Sequence, residues 1–494
     1  MPEVAGGLRY RSSTGRWVIA AAVMGSSIAA IDATVVGIAL PTIGRDFGVG
    51  LAALQWVVTG YYLTLAAFLL LGGSLSDRFG RRRVFSIGVI WFAVASAVCG
   101  FAPNVGVLVA MRLLQGIGGA LLVPGSLAIL QASFAPDDQG QAIGAWSGLG
   151  GVATAAGPLL GGYLISAASW RWIFFINIPV AAAALAVTAR HVPESKDPAA
   201  TGHLDLEGAT AAVLGLGGLA YALIEGPSLG WSSGTVAGSL VVAVLSLGGF
   251  VLIERRAPEP LMPLGMFRRR QFSATNGVTF VVYAALGGAL FLLPVELQIS
   301  SGYSPLESGL ALMPVTAIML ALSARSGRLA SRIGPRLQMS VGPLVLAISL
   351  LSLTRATDGR NYFVFVLPEV VVFALGLAIM VAPLTATAMA SAGAEHAGVA
   401  SAVNNDVARI GGLIAVAVLP AVAGITGRSY LHAAQLSDAF RTAMFVSAAA
   451  CALGAAVAAF TVTNPPHEQA PGTECHHCGL DGPPLRVRTG AATP

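Results

Sequence analysis

Charged side chains inside long apolar runs are the residues of this chain best placed to do chemistry. Asp32 lies in the run IDATVVGIALP and Arg112 in RLLQGIGGALLVP. A guanidinium in hydrocarbon costs about 2.5–3.5 kcal/mol on insertion scales, so Arg112 must face a cavity or a partner. Burial favours a neutral carboxyl and a neighbouring arginine favours an ionised one, so the two residues together suit reversible proton exchange. A static ion pair is the plainer reading. Asp406 and Arg409, three apart on one helical face, are expected to neutralise each other. Glu369 is read as deep enough to line a cavity, whereas Glu225 and Glu296 fall near helix ends, with Glu296 also a candidate for the substrate surface. Trp56, Tyr61 and Tyr62 offer aromatic faces to a flat or cationic ligand, or else simple packing. Near the C-terminus, Cys475, His476, His477 and Cys478 cluster. A tetrahedral metal site usually draws on two separated ligand pairs, so no metal is assigned, and the surrounding Pro and Gly read as a flexible tail.

These groups must be positioned by membrane helices. The chain has 494 residues, of which 55% are hydrophobic and only 10% charged, a surface unsuited to water. Runs of about 20 apolar residues, each long enough to cross a bilayer, are placed near 17–40, 52–72, 84–102, 106–130, 140–165, 171–189, 206–225, 234–253, 273–297, 307–324, 338–354, 361–391, 396–424 and 439–462. The runs are continuous rather than alternating, which excludes a strand barrel. The first is too long for an ordinary signal peptide. Cys99 and Cys451 fall within helices, so no disulfide framework is implied.

Of the 28 Lys and Arg, twenty fall on one side of this topology. Six (Arg45, Arg171, Arg355, Arg360, Arg428 and Arg441) fall on the other, and Arg112 and Arg409 lie within spans. Positive charge inside places both termini in the cytoplasm, and the basic balance is read as orientation rather than nucleic-acid binding. Counting at 1.5 Å per residue then puts Asp32 about 22 Å and Arg112 about 21 Å above the cytoplasmic side. The chain also repeats: GSLSDRFGRR (73–82) and GRLASRIGPR (327–336) share five residues, and DDQGQA (137–142) is similar to EHAGVA (395–400). The two offsets nearly agree, which divides the chain into related six-helix halves at 17–190 and 273–462. Two further helices lie between them in 191–272, with terminal segments at 1–16 and 463–494.

The segment GGSLSDRFGRRRV, with Gly73, Asp77, Arg78, Gly80 and Arg82, resembles the signature loop of the major facilitator superfamily. We read it as a conformational latch; topology-fixing arginines are the simpler alternative. The fifth span carries Gly148 and, in GGVATAAGPLLGG, Gly157, Pro158, Gly161 and Gly162. It resembles the superfamily's antiporter motif, with small residues for close helix packing and a proline that permits a bend. The Arg112 segment resembles the superfamily's arginine motif, and the Asp32 segment the first-helix motif of its fourteen-span drug:proton antiporter group. In the second loop Ser331 stands where the first has Asp77.

The resemblance implies an all-α integral membrane protein of fourteen helices in a bacterial-type cytoplasmic membrane. It implies a proton-coupled exporter of amphipathic small molecules, with protons as the coupling ion and no cofactor; Asp32 and Arg112 from these motifs, and Asp406 and Glu369 from their place in the spans, are the candidate coupling residues. A proton symporter, or an exporter of one dedicated metabolite, is the alternative. Expected partners are the substrate, protons and the lipid bilayer, with no nucleic acid, and the chain is expected to be monomeric. Neither a nucleophile with its base nor spaced metal ligands are found to suggest an enzyme, and duplication with acids at mid-depth argues against a receptor.

Overall fold

A computed structural model describes residues 7–197, 204–257, 260–357, 361–392 and 397–464. The CHHC cluster, most of the 463–494 tail and part of the EHAGVA repeat lie outside the described residues. Fourteen helices are long and apolar enough to cross a membrane, and no named strand occurs among the described residues. They are α1 (Ser13–Phe47), α2 (Leu51–Phe79), α3 (Arg81–Gly100), α4 (Val105–Ser133), α5 (Pro136–Ala167), α6 (Trp172–His191) and α7 (Leu206–Leu229). The chain continues through α8 (Gly234–Arg256), α9 (Arg270–Ile299), α10 (Pro305–Ile333), α11 (Pro335–Thr357), α12 (Leu367–Ala392), α13 (Gly398–Val422) and α14 (Ala433–Thr461).

The helix starts follow local chemistry. Ser12 accepts from the Gly15 amide at 3.0 Å, Asn104 from Val107 at 2.9 Å, and Ser304 forms a reciprocal capping box with Glu307, which satisfies amides with no partner inside the helix. Prolines occur inside several spans, including Pro41, Pro124, Pro158 and Pro294. Helix neighbours in a bilayer tolerate such breaks by re-satisfying the freed backbone groups. Two spans break outright: α6 is interrupted at Ile176 and α10 at Leu312. The expected run 361–391 also divides, into a short turn at Tyr362–Phe365 and α12 proper from Leu367.

Within the first half, α4 packs on α2 and α3, and α1 packs on α5 and α6. Glycines set the closeness of α4. A side chain at Gly116 would strike the Thr64 hydroxyl and the Tyr61 carbonyl, and one at Gly118 would come within 2.7 Å of the Phe92 amide nitrogen. In the second half, α9 packs on α13 and α14, and α11 on α12 and α14. The helices α7 and α8 pack on each other, with α7 also against both α2 and α13. A small apolar cluster of Leu63, Leu216, Ala220 and Leu413 makes that junction.

The halves are held together at one end. Gln55 donates to the Val416 carbonyl at 2.6 Å, Gln298 to Ile38 at 2.9 Å, the Leu51 amide to Gly427 at 2.8 Å and the Tyr430 hydroxyl to Val49 at 3.1 Å. Among the described residues, the hydrogen bonds between the halves all lie at the end opposite the arginine-rich loops.

Candidate functional site

The centre of the first half is a closed polar network around Asp32 and Arg112, each only 1% exposed. One Asp32 oxygen accepts a hydrogen bond from Arg112 Nη1. The other accepts from Gln115 Nε2 at 2.9 Å and from Asn177 Nδ2 at 3.5 Å. Gln115 in turn accepts from Arg112 at 2.7 Å, and Arg112 Nε donates to the Val57 carbonyl at 3.0 Å. The guanidinium carbon also lies 4.4 Å from the centre of the Tyr61 ring, a favourable cation–π placement. Asn177 reaches Ser96 at 3.0 Å, which donates to the Phe174 carbonyl at 2.9 Å. Three helices, α1, α4 and α6, thus meet at one carboxylate, and α2 and α3 join the network through Arg112 and Asn177.

Counting along the spans anticipates Asp32 and Arg112 at one depth, and they are in contact. It does not anticipate Gln115, Asn177 or Ser96. Gln115 carries a local signal, being one turn beyond Arg112 on the same face. Asn177 could have been noticed only as an amide in an apolar span.

Several expected positions are corrected. Tyr61 is fully buried as the floor beneath Arg112, so it belongs to the inside of a bundle and not to a substrate surface. Glu296 is neither interfacial nor cavity-lining: it is fully buried, accepting from Ser300 at 2.9 Å and Ser437 at 2.8 Å. Glu369 stands in the first turn of α12, because the chain breaks at Val366, and it faces Arg355 at 3.9 Å. Glu225 accepts from the Trp56 indole at 3.0 Å, which ties α7 to α2. Tyr62 is half-buried, with its ring 5.5 Å from that of Tyr61.

Asp406 and Arg409, expected to neutralise each other, form no direct ion pair. Asp406 is buried, and its Oδ1 and Arg409 Nε lack any hydrogen-bond partner. The polar neighbour that is satisfied here is Asn404, which donates to Asn276 at 3.0 Å and Thr279 at 2.8 Å. Sharing one helical face brings two side chains near each other but does not oblige them to bond.

The α2–α3 turn is docked on the segment following α6. Gly80 has φ +112°, a conformation that side chains resist, and any Cβ there would meet the Glu194 carboxylate at 2.7 Å. Glu194 accepts from the Arg82 amide at 3.1 Å, Arg82 Nη2 donates to the Ala189 carbonyl at 3.1 Å, and the Arg81 amide donates to Ser195 at 2.9 Å. Asp77 holds Arg81 through two contacts of 2.8 and 2.9 Å, and Arg78 lies over the Phe79 ring. Gly73 packs loosely; the tight approach is at Gly72, where a Cβ would strike the Ala120 carbonyl. The second half repeats the arrangement. Gly334 has φ +83°, the Arg336 amide donates to Asn464 Oδ1 at 3.0 Å, and Arg336 Nε donates to the Ala459 carbonyl at 2.9 Å.

The α5 glycines divide into two groups. A Cβ at Gly157 would strike the Thr34 hydroxyl, one at Gly161 would meet Val35 at 2.8 Å, and one at Gly162 would meet the Pro305 carbonyl at 2.6 Å. The Pro158 carbonyl fills the space beside Gly309 of α10. By contrast Gly140, Gly144, Gly148 and Gly150 face open space, so not every small residue of this span serves close helix packing. The α5–α10 contact is therefore tight at the arginine-poor end, and no comparable approach occurs along α5 towards the other.

Comparison with known proteins agrees with this architecture. The chain is 39% identical to the Tetracenomycin C resistance and export protein of Streptomyces glaucescens, over 84% of this chain and 76% of that one. It is 37% identical to the Multidrug resistance protein Stp of Mycobacterium tuberculosis (strain CDC 1551 / Oshkosh), over 79% and 73%. Its fold is similar to that of a bacterial homologue of the human lysosomal transporter Spinster in an inward-facing, unoccupied conformation. That match has a TM-score of 0.66 and 16% identity, covering 91% of this chain and 97% of the other. Residues 22–416 match the model of the Major Facilitator Superfamily, and with fourteen membrane helices in that fold the chain belongs to this superfamily of transporters.

Proposed function

We propose that this protein exports amphipathic small molecules across the cytoplasmic membrane in exchange for protons, by alternating access. Membership of a transporter family and relatives named for resistance and export support the transport of small molecules outward. The observation that carries proton coupling is the Asp32 carboxylate, buried in the first half with both oxygens occupied by Arg112, Gln115 and Asn177. A proton is small enough to reach it. Neutralising Asp32 leaves Arg112 without its counter-charge, at a cost of the order of 2.5–3.5 kcal/mol for an unpaired guanidinium at mid-membrane. That penalty supplies a reason for the bundle to rearrange.

With the arginine-rich side in the cytoplasm, both termini are cytoplasmic and the present conformation is closed outward and unbridged inward. The docked turns at Gly80 and Gly334 then sit on the cytoplasmic side, where they hold α2–α3 and α10–α11 as rigid corners while the halves move. One chain suffices for this cycle, so a monomer is the working unit.

Everted membrane vesicles test the proposal. Acidifying the lumen should drive accumulation of an amphipathic fluorescent dye by the wild type and fail to do so with Asp32→Asn. Full proton-driven accumulation by Asp32→Asn sinks the assignment of that residue. Loss of dye from the lumen on acidification identifies a symporter instead.

A further inference from the structure

Four charged residues among those described carry a buried side-chain atom with no hydrogen-bond partner: Asp205, Glu254, Asp406 and Arg409. Asp205 and Glu254 each use their other oxygen, to Gly208 at 2.7 Å and Met262 at 3.0 Å. Asp406 and Arg409 stand apart: among the described residues no side-chain hydrogen bond or ion pair is recorded for either, and Asp406 Oδ1 and Arg409 Nε are buried. Asp406 is 7% exposed. Arg409 lies 11 residues from one end of α13 and 13 from the other, about 17 and 20 Å along the helix axis. This is mid-membrane, beyond the reach of a lipid headgroup.

The neighbouring residues Ile410, Leu413 and Ile414 pack with Tyr62, Leu63 and Leu113 across the junction between the halves. An unsatisfied cation, an unsatisfied carboxyl and an aromatic ring therefore share one depth where the two halves meet.

We infer that Arg409, with Asp406 and Tyr62 beside it, is a cargo-contact site whose guanidinium receives an anionic group of an amphipathic aromatic molecule. Guanidinium forks match planar or tetrahedral oxyanions, and the Tyr62 ring supplies an apolar face. Asp406, three residues away and not ion-paired with Arg409, competes with an incoming anion for the same guanidinium. The inference rests on the transport reading for its occupant, but binding at equilibrium needs no proton gradient, so it can fail while proton-driven export stands, and the reverse.

The test uses the full chain in lipid nanodiscs, titrated with 1-anilinonaphthalene-8-sulfonate and with N-phenyl-1-naphthylamine, which has the same rings without the sulfonate. Empty nanodiscs supply the background. Arg409→Gln should weaken the sulfonated dye by about tenfold, the size of one charge-assisted hydrogen bond, and the uncharged dye by less than about twofold. Arg409→Lys should retain most of the preference, and Asp406→Asn should strengthen the sulfonated dye. Should Arg409→Gln fail to fold, the Lys and Asn variants decide. An unchanged ratio of the two affinities in Arg409→Gln overturns the site. So does an equal loss of the sulfonated dye in Asp406→Asn, which would make the two residues a structural pair.

Discussion

Arg112 and Arg409 are both arginines within membrane spans, one in each half, and they are treated in opposite ways. Arg112 has a carboxylate, a glutamine, a backbone carbonyl and the face of Tyr61. Arg409 has no bonded partner among the described residues. The same contrast recurs at the arginine-rich loops. Glu194 caps the α2–α3 turn with a full charge, and Asn464 caps the α10–α11 turn with a neutral amide. The first half satisfies its buried arginine and carboxylate, whereas the second leaves Asp406 Oδ1 and Arg409 Nε without partners.

The largest effect that could break this comparison is on stability. Arg112→Ala leaves the Asp32 carboxylate buried without a counter-charge and should cost about 3–5 kcal/mol, whereas Arg409→Ala removes an unpaired cation and should be neutral or stabilising. Thermal unfolding of the two variants in detergent measures both; equal losses would abolish the distinction. Combining Asp32→Asn with Arg112→Gln should recover about 1–3 kcal/mol relative to the sum of the single variants, as for groups in one network. A strictly additive result would mean that the contact contributes nothing of its own.

A second contrast lies within α5. Gly157→Val meets Thr34 and should cost about 1–3 kcal/mol through overpacking. Gly148→Val enters open space, and its effect should stay within about 0.5 kcal/mol. If both are tolerated, the α1–α5 contact is looser than its geometry implies. The smallest effects belong to the loops: Glu194→Ala and Asn464→Ala should each remove about 1 kcal/mol, a helix-cap contribution, with only the first sensitive to salt. Unfolding at low and high ionic strength distinguishes the charged cap from the neutral one.

Much of this could be read before the structure, and the failures have physical reasons. Asp32 and Arg112 could be matched because a helix has a fixed rise, so depth follows from counting. Asn177 could not, since its amide reaches Asp32 from a helix 145 residues away. Glu369 was misplaced because the break at Val366 occurs within an apolar run and leaves no mark in hydropathy. Tyr61 and Glu296 are only candidates for a substrate surface in the sequence, because composition records that a residue is polar or aromatic, not which way its helix turns. Gly148 and Gly157 look alike in a glycine-rich stretch, and only the neighbouring helix distinguishes open space from contact.

The sequence alone determined the number of spans, their orienting charge bias, the internal repeat and the superfamily. A bilayer obliges each spanning segment to satisfy its backbone within itself, so these properties depend on local hydropathy and on motifs contiguous in the chain. Only the tertiary structure decided which of two intramembrane arginines is satisfied, which glycines bear a contact, and that the hydrogen bonds between the described parts of the two halves lie at one end. Those outcomes depend on side chains brought together from different helices, and a helix can rotate by a third of a turn without changing its hydropathy.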